Sequence, residues 1–260
     1  MYVDNVKINW NKKFKNIKLR DPILIVGLPG IGNVGKLVVE HLRLSFKAKR
    51  IATLYSKRLP AVIFMKKNGK FRLASIRFYL LGSGAKHDIL LLTGDAQPPT
   101  NEGQYEINNE IFKFFKNKLN GRLIYTLAGY NTNRELQKEA KVFGIGTSEK
   151  IMKDLKKDGV VFGEAKGFVY GTSAMLLAIA KMNKIDAACI MGETSMMEVD
   201  AVASKAVLKV LAKNLYLKIN MKDIDKLIED TAKAVKEIEK QAGVQQIVQP
   251  TLDKNPSYIR

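Results

Sequence analysis

The chain has 260 residues, enough for one sizeable core, and its 46% apolar and 8% aromatic content is that of a globular protein. A single cysteine, Cys189, excludes an internal disulfide and a cysteine-ligated metal cluster, and points to a reducing cytoplasm. The formal charge of +19 is uneven: residues 1–80 carry +15, with Asp4, Asp21 and Glu40 as their acids, and the rest of the chain carries +4, which suits either a polyanion or acidic protein face or a plain solvated surface.

The first sixteen residues, MYVDNVKINWNKKFKN, are polar and lack an apolar h-region, so export is not expected. No apolar run reaches the roughly 20 residues that span a bilayer. Ile23–Val26, Arg50–Tyr55, Ala61–Met65 and Phe71–Leu81 read as strands, with Asn68-Gly69 as a hairpin turn between the last two. Ile89–Leu92 is an apolar run of buried-strand type. A helix near Glu106–Leu119 follows, then strands at Leu123–Leu127 and Val142–Ile145 and a helix near Glu149–Lys156. Gly167 to Gly171 forms a glycine-punctuated turn into an apolar helix, Ser173–Met182, before a strand at Ala187–Met191 and a helix near Ala201–Leu217. This alternation predicts an α/β layered domain over residues 1–219, with a mostly parallel sheet, helices on both faces and the hairpin adding antiparallel strands at one side.

Residues 220–245 read as a separate C-terminal helix. Asn220 is a plausible cap, and Ile224, Ile228, Thr231, Val235, Ile238 and Ala242 recur with heptad spacing. Two readings stay open: a helix packed on its own domain, or a seam through Ile224, Ile228, Val235 and Ile238 that packs against another copy. Residues 246–260, with two prolines and no periodicity, read as an exposed mobile tail.

The chemistry centres on GLPGIGNVGKL, residues 27–37, between the first strand and the helical run Leu37, Val38, Val39, His41, Leu42. Gly30, Gly32 and Gly35 fit the dinucleotide fingerprint G-x-G-x-x-G, in which glycines let a pyrophosphate approach a helix N-terminus. The acid needed about 20 residues on is missing, and Ser56-Lys57-Arg58 stands there instead. As a P-loop it has Lys36 but Leu37 where the Mg²⁺-binding hydroxyl belongs. The loop is then a tight strand-to-helix connection, an anion or small-ligand site at Gly30, Gly32, Asn33 and Gly35, or a nucleotide site of an enzyme that uses Gly27–Gly35. His41 and His87 have no metal-ligand spacing, and no G-x-S-x-G elbow is present. Asp88, Asp95, Glu102 and Glu193 follow apolar strands or sit in their loops, where an open sheet gathers its ligand-binding groups. No catalytic residue, metal site or cofactor is assigned. No nucleic-acid motif accompanies the basic charge, so nucleic acid is not an expected partner.

The G-L-P-G-I-G-N-V-G loop, T-G-D-A-Q-P at 93–98, A-G-Y at 128–130 and M-G-E-T-S at 191–195 together resemble the proteasome-assembly-chaperone family in its archaeal-type branch, over about residues 20–240. The resemblance implies a non-enzymatic, cytoplasmic binding protein with a purine-nucleoside-phosphorylase-like α/β fold. It further implies a homo-oligomer, a tetramer being one expected form, that binds the α-subunits of the proteasome core particle as an assembly chaperone or ATP-independent activator. Docking would run through the C-terminal residues Tyr258, Ile259 and Arg260. Docking tails of this kind end in hydrophobic–Tyr–any residue; here Tyr258 stands third from the end, one place early.

Overall fold

The computed structural model describes residues 5–66, 68–82, 87–132, 139–195, 198–221 and 224–233. Eleven strands and six helices of at least two turns are seen among them. In chain order they are β1 (Val6–Trp10), β2 (Ile23–Val26), α1 (Val34–Ser45), β3 (Lys49–Ser56), β4 (Ile63–Met65), β5 (Phe71–Leu73), β6 (Ile76–Leu81) and β7 (Ile89–Gly94). Then follow α2 (Asn101–Lys113), β8 (Leu123–Asn131), β9 (Val142–Gly146), α3 (Glu149–Lys157), β10 (Val161–Phe162), α4 (Thr172–Met182), β11 (Asp186–Thr194) and α5 (Ala201–Asn214). A last helix, α6, runs over 224–233.

Nine strands form one sheet in the order β1-β3-β6-β7-β2-β8-β11-β9-β10. The centre, β7-β2-β8-β11, is parallel, and β10 pairs parallel with β9 at the far edge. β6, β3 and β1 are added antiparallel on one side, and β9 pairs antiparallel with β11 on the other. The sheet is therefore mixed where a mostly parallel one is expected. The β4–β5 hairpin does not extend it but stands apart as a two-stranded sheet.

Helices cover both faces, as the period of two in β2 dictates. Ile23 and Ile25 face a core built with α1, α3 and α5, and Leu24 and Val26 face a second core built with α2 and α4. Each fully buried Leu or Ile of this kind contributes about 1.5–3 kcal/mol. α2, α3 and α5 start where side chains satisfy their first amides. Thr100 accepts from the Gly103 amide, Ser148 from Ile151 and Asp200 from Ala203.

Three expectations are corrected. β1 lies in the stretch read as merely polar: Val6, Ile8 and Trp10 alternate with polar residues, and the Trp10 ring packs 4.8 Å from that of Phe114. The strand expected over Phe71–Leu81 is two strands, because the Ser75 amide bonds the Asp95 carboxylate and the Ala74 amide bonds the Val62 carbonyl. Helix α2 starts at Asn101, five residues before the expected Glu106, since Thr100 caps it there, and a π-helical turn, Phe114–Lys118, continues it.

Ile224 of α6 is fully buried in the chain's own core, and Ile228 packs against that core. Val235, Ile238 and the tail residues Tyr258, Ile259 and Arg260 lie outside the described residues. No helix among the described residues is long and apolar enough to cross a membrane.

Candidate functional site

β2 runs straight into the glycine loop, and packing decides which glycines are needed. A Cβ on Gly27 would stand 2.0 Å from the Gly35 carbonyl oxygen, and one on Gly35 would stand 2.3 Å from the Leu127 carbonyl oxygen. These two glycines let α1 press against β2 and β8. Gly32 and Asn33 both take left-handed backbone, with φ of 61° and 50°, and turn the chain into α1. The Gly32 carbonyl accepts the Asp200 amide, and Asn33 Nδ2 donates to the Glu198 carbonyl at 2.9 Å. Gly32 and Asn33 thus tie the loop to the segment before α5. Gly30 and Gly35 instead border a cleft on the other side.

That cleft, of about 400 Å³, lies at the C-terminal ends of β2 and β8, between the glycine loop, Gly129 and Tyr130, and the Lys166–Tyr170 turn. Gln97 and Tyr130 of its lining are engaged within the protein. Gln97 donates to the Pro29 carbonyl at 2.6 Å and accepts the Thr172 amide at 2.9 Å, which staples the loop to the start of α4. The Tyr130 hydroxyl donates to the Lys166 carbonyl and accepts its amide. Phe168 and Tyr170 are exposed at the rim, their ring centroids 6.5 Å apart.

Lys36, the residue a P-loop would use on phosphate, points away from this cleft. Its Nζ donates to the Gly94 carbonyl at 2.7 Å and lies 3.5 Å from Glu40. Burial pushes its pKa below the ordinary lysine value, outweighing the pull of Glu40. Glu40 also bonds Arg43 and Thr93. The loop thus keeps the turn of a phosphate site while its cation serves the end of β7.

The four acids do not converge. Asp95, whose side chain is nearly buried, holds Arg72 at 2.5 Å, Arg77 at 2.8 Å and the Ser75 amide at 3.1 Å. Burial alone would raise its pKa, but the hydrogen bonds and charges of the two arginines hold it below the usual carboxylate value. Glu193 accepts from Thr132 and from the Lys141 amide. Glu102 stands exposed in the first turn of α2. Asp88 precedes β7, at the opposite edge of the sheet from the cleft, and binds the Arg20 amide. His41 is buried in α1 against Ser45, and His87 borders a separate cavity of about 600 Å³ at that opposite edge. Among the described residues no group of three or more His, Cys, Asp and Glu is placed to hold a metal ion.

One surface was not singled out from the sequence. In the β4–β5 hairpin, Ile63 pairs with Leu73 and Met65 with Phe71, and all four are exposed on one face. The alternation of Ile63-Phe64-Met65 and Phe71-Arg72-Leu73 was the available signal, since a strand pair with apolar residues on both faces cannot hide both.

The chain is similar along most of its length to solved structures and to a curated relative. PbaB of Pyrococcus furiosus, described as an archaeal proteasome activator, is 31% identical, with a TM-score of 0.80 over 91% of this chain and 100% of that one. PbaA of the same organism, described as an archaeal homolog of proteasome-assembly chaperone, is 26% identical, with a TM-score of 0.73 over 92% of this chain and 100% of that one. An uncharacterized protein of Methanocaldococcus jannaschii is 32% identical over 88% of both chains. The PAC2 family model matches residues 24–242, and the chain belongs to the PAC2 family.

Proposed function

We propose that this chain is a non-enzymatic, cytoplasmic proteasome-binding protein that assists assembly of the core particle or activates it without nucleotide. The observation that carries the reading is the 31% identity and near-complete overlap with the Pyrococcus furiosus proteasome activator. The glycine loop supports it from the other side, because its lysine and the amide at the start of α4 are already taken up by internal bonds. In this reading residues 1–219 serve as the body, 220–245 as the oligomerisation element and 246–260 as the docking tail. Several tails on one homo-oligomer raise one another's effective concentration at an α-ring with repeated pockets, so weak single contacts sum to firm binding.

Peptide hydrolysis by a purified archaeal core particle, with and without the chain and in the absence of nucleotide, tests the reading. The expected result is stimulation that is lost when residues 256–260 are deleted, with oligomer mass unchanged. Stimulation that survives the deletion moves the contact to the body. Absence of both stimulation and co-sedimentation with the core or its α-ring removes the proteasome as partner.

A further inference from the structure

The β4–β5 hairpin combines three features that rarely meet on a surface with no partner. Its outer face carries Ile63, Met65, Phe71 and Leu73, with Met65 89% and Phe71 62% exposed. Large contiguous apolar patches on a monomer mark interaction sites. Its inner face is fixed. Phe64 packs on the core, the Arg72 guanidinium lies 4.1 Å above the Phe64 ring, and Arg72 is anchored in turn by Asp95. A two-stranded hairpin is marginal alone, so this mounting is what presents the apolar face ready-made and lowers the ordering cost of binding. Its tip carries Lys66 and Lys70, both exposed, and neither takes part in an ion pair among the described residues. No acid occurs in the sequence between Glu40 and Asp88.

We propose that the outer face of this hairpin is a docking surface for a protein patch with an apolar centre and an acidic rim, carried by the proteasome core particle. The identity of the partner rests on the function proposed above. Charge chooses among occupants. In a two-fold pairing with a second copy the same basic surface lies on both partners, so like charges from Lys66 and Lys70 approach one another at a cost in affinity. Nucleic acid calls for phosphate contacts and stacked rings, whereas three of the four central side chains here are aliphatic. An acidic rim around an apolar spot matches both the lysines and the centre, with Phe71 and Met65 as the anchors that such interface centres favour.

The test measures binding of the full chain to immobilised core particle for the wild type, for Met65→Ser with Phe71→Ser, and for Lys66→Glu with Lys70→Glu. These positions are exposed, so circular dichroism and oligomer mass are expected to stay unchanged. The apolar variant is expected to bind about tenfold or more weakly. The charge variant is expected to associate more slowly at low salt, the difference vanishing at about 0.5 M salt. Wild-type affinity in the apolar variant overturns the hairpin proposal and leaves the proteasome function standing. Faster association of the charge variant overturns the acidic rim. A wild type that does not bind the core overturns both proposals. A fall in oligomer mass for the apolar variant assigns the face to contacts between copies and overturns the proposal. Binding of phosphatidylglycerol vesicles by the wild type alone, with unchanged core binding in the variant, overturns it in favour of a membrane surface.

Discussion

Gly35 has no room for a side chain, because the nearest obstacle is a backbone oxygen of β8 that cannot rotate aside. Gly35→Ala is expected to cost about 3 kcal/mol, as overpacking at a rigid site does. Gly69→Ala, at a φ of 75° with open space around it, is expected to cost about 1 kcal/mol; thermal melting of the two variants side by side checks the contrast. Asp95 is sensitive to pH instead of size. Its folded pKa lies below the unfolded value of about 3.9, so its bonds to Arg72 and Arg77 contribute stability that is present above about pH 4 and lost as the pH falls through the folded value. Asp95→Asn is expected to cost about 3 kcal/mol at pH 7 by leaving two arginines without their counter-charge. In urea titrations the gap between variant and wild type should shrink at pH 3, and a gap that holds constant would refute the role. None of this is visible from sequence: Asp95 was readable as an acid after a strand, but its partner Arg77 is brought to it by the pairing of β6 with β7, and Arg72 reaches it from the separate β4–β5 hairpin.

Elements were legible where the local pattern and the tertiary environment agree. β2 has the bounds expected of it, because four consecutive apolar residues between Pro22 and Gly27 have no other use than a strand buried on both faces. Ser148 and Glu149 announce α3 as a cap and a first-turn acid. Elements were hidden where a long-range partner decides. β1 is five residues whose lysine and asparagine mask an alternation that only the β3 edge makes use of. Removing residues 1–11 is expected to uncover that edge of β3 and the ring of Phe114. The shortened chain should melt at lower temperature and scatter light on warming, as an unprotected strand edge does. A shortened chain that melts like the full one and stays clear would show β1 to be dispensable. The glycine loop sits between the two cases: its shape could be read from Gly30, Gly32 and Gly35, but its use could not, since that depends on where Lys36 and Gln97 point.

At the scale of the molecule, the basic first third supplies the antiparallel side of the sheet, β1, β3 and β6, and the hairpin beside it. Lys7 on β1, Lys49 and Arg50 on β3, Arg77 on β6 and Arg72 in the hairpin thus place part of the basic charge of residues 1–80 on one side of the fold, which composition alone could not establish. The α/β class was legible from the alternation of apolar runs and helical patterns, but the strand order was not, because nothing local states that β2 lies between β7 and β8. That central place has a consequence for how the protein comes into being. Residues 23–26 find their two neighbours only at 89–92 and 123–126, and β8 in turn waits for 186–194. On a ribosome, the earliest apolar strand emerges long before either partner, and such non-local pairing closes late. Within the nascent N-terminal third β1, β3 and β6 can pair with one another, but β2 waits unpaired in a strongly cationic chain, whose like charges hold growing copies apart until the sheet can close.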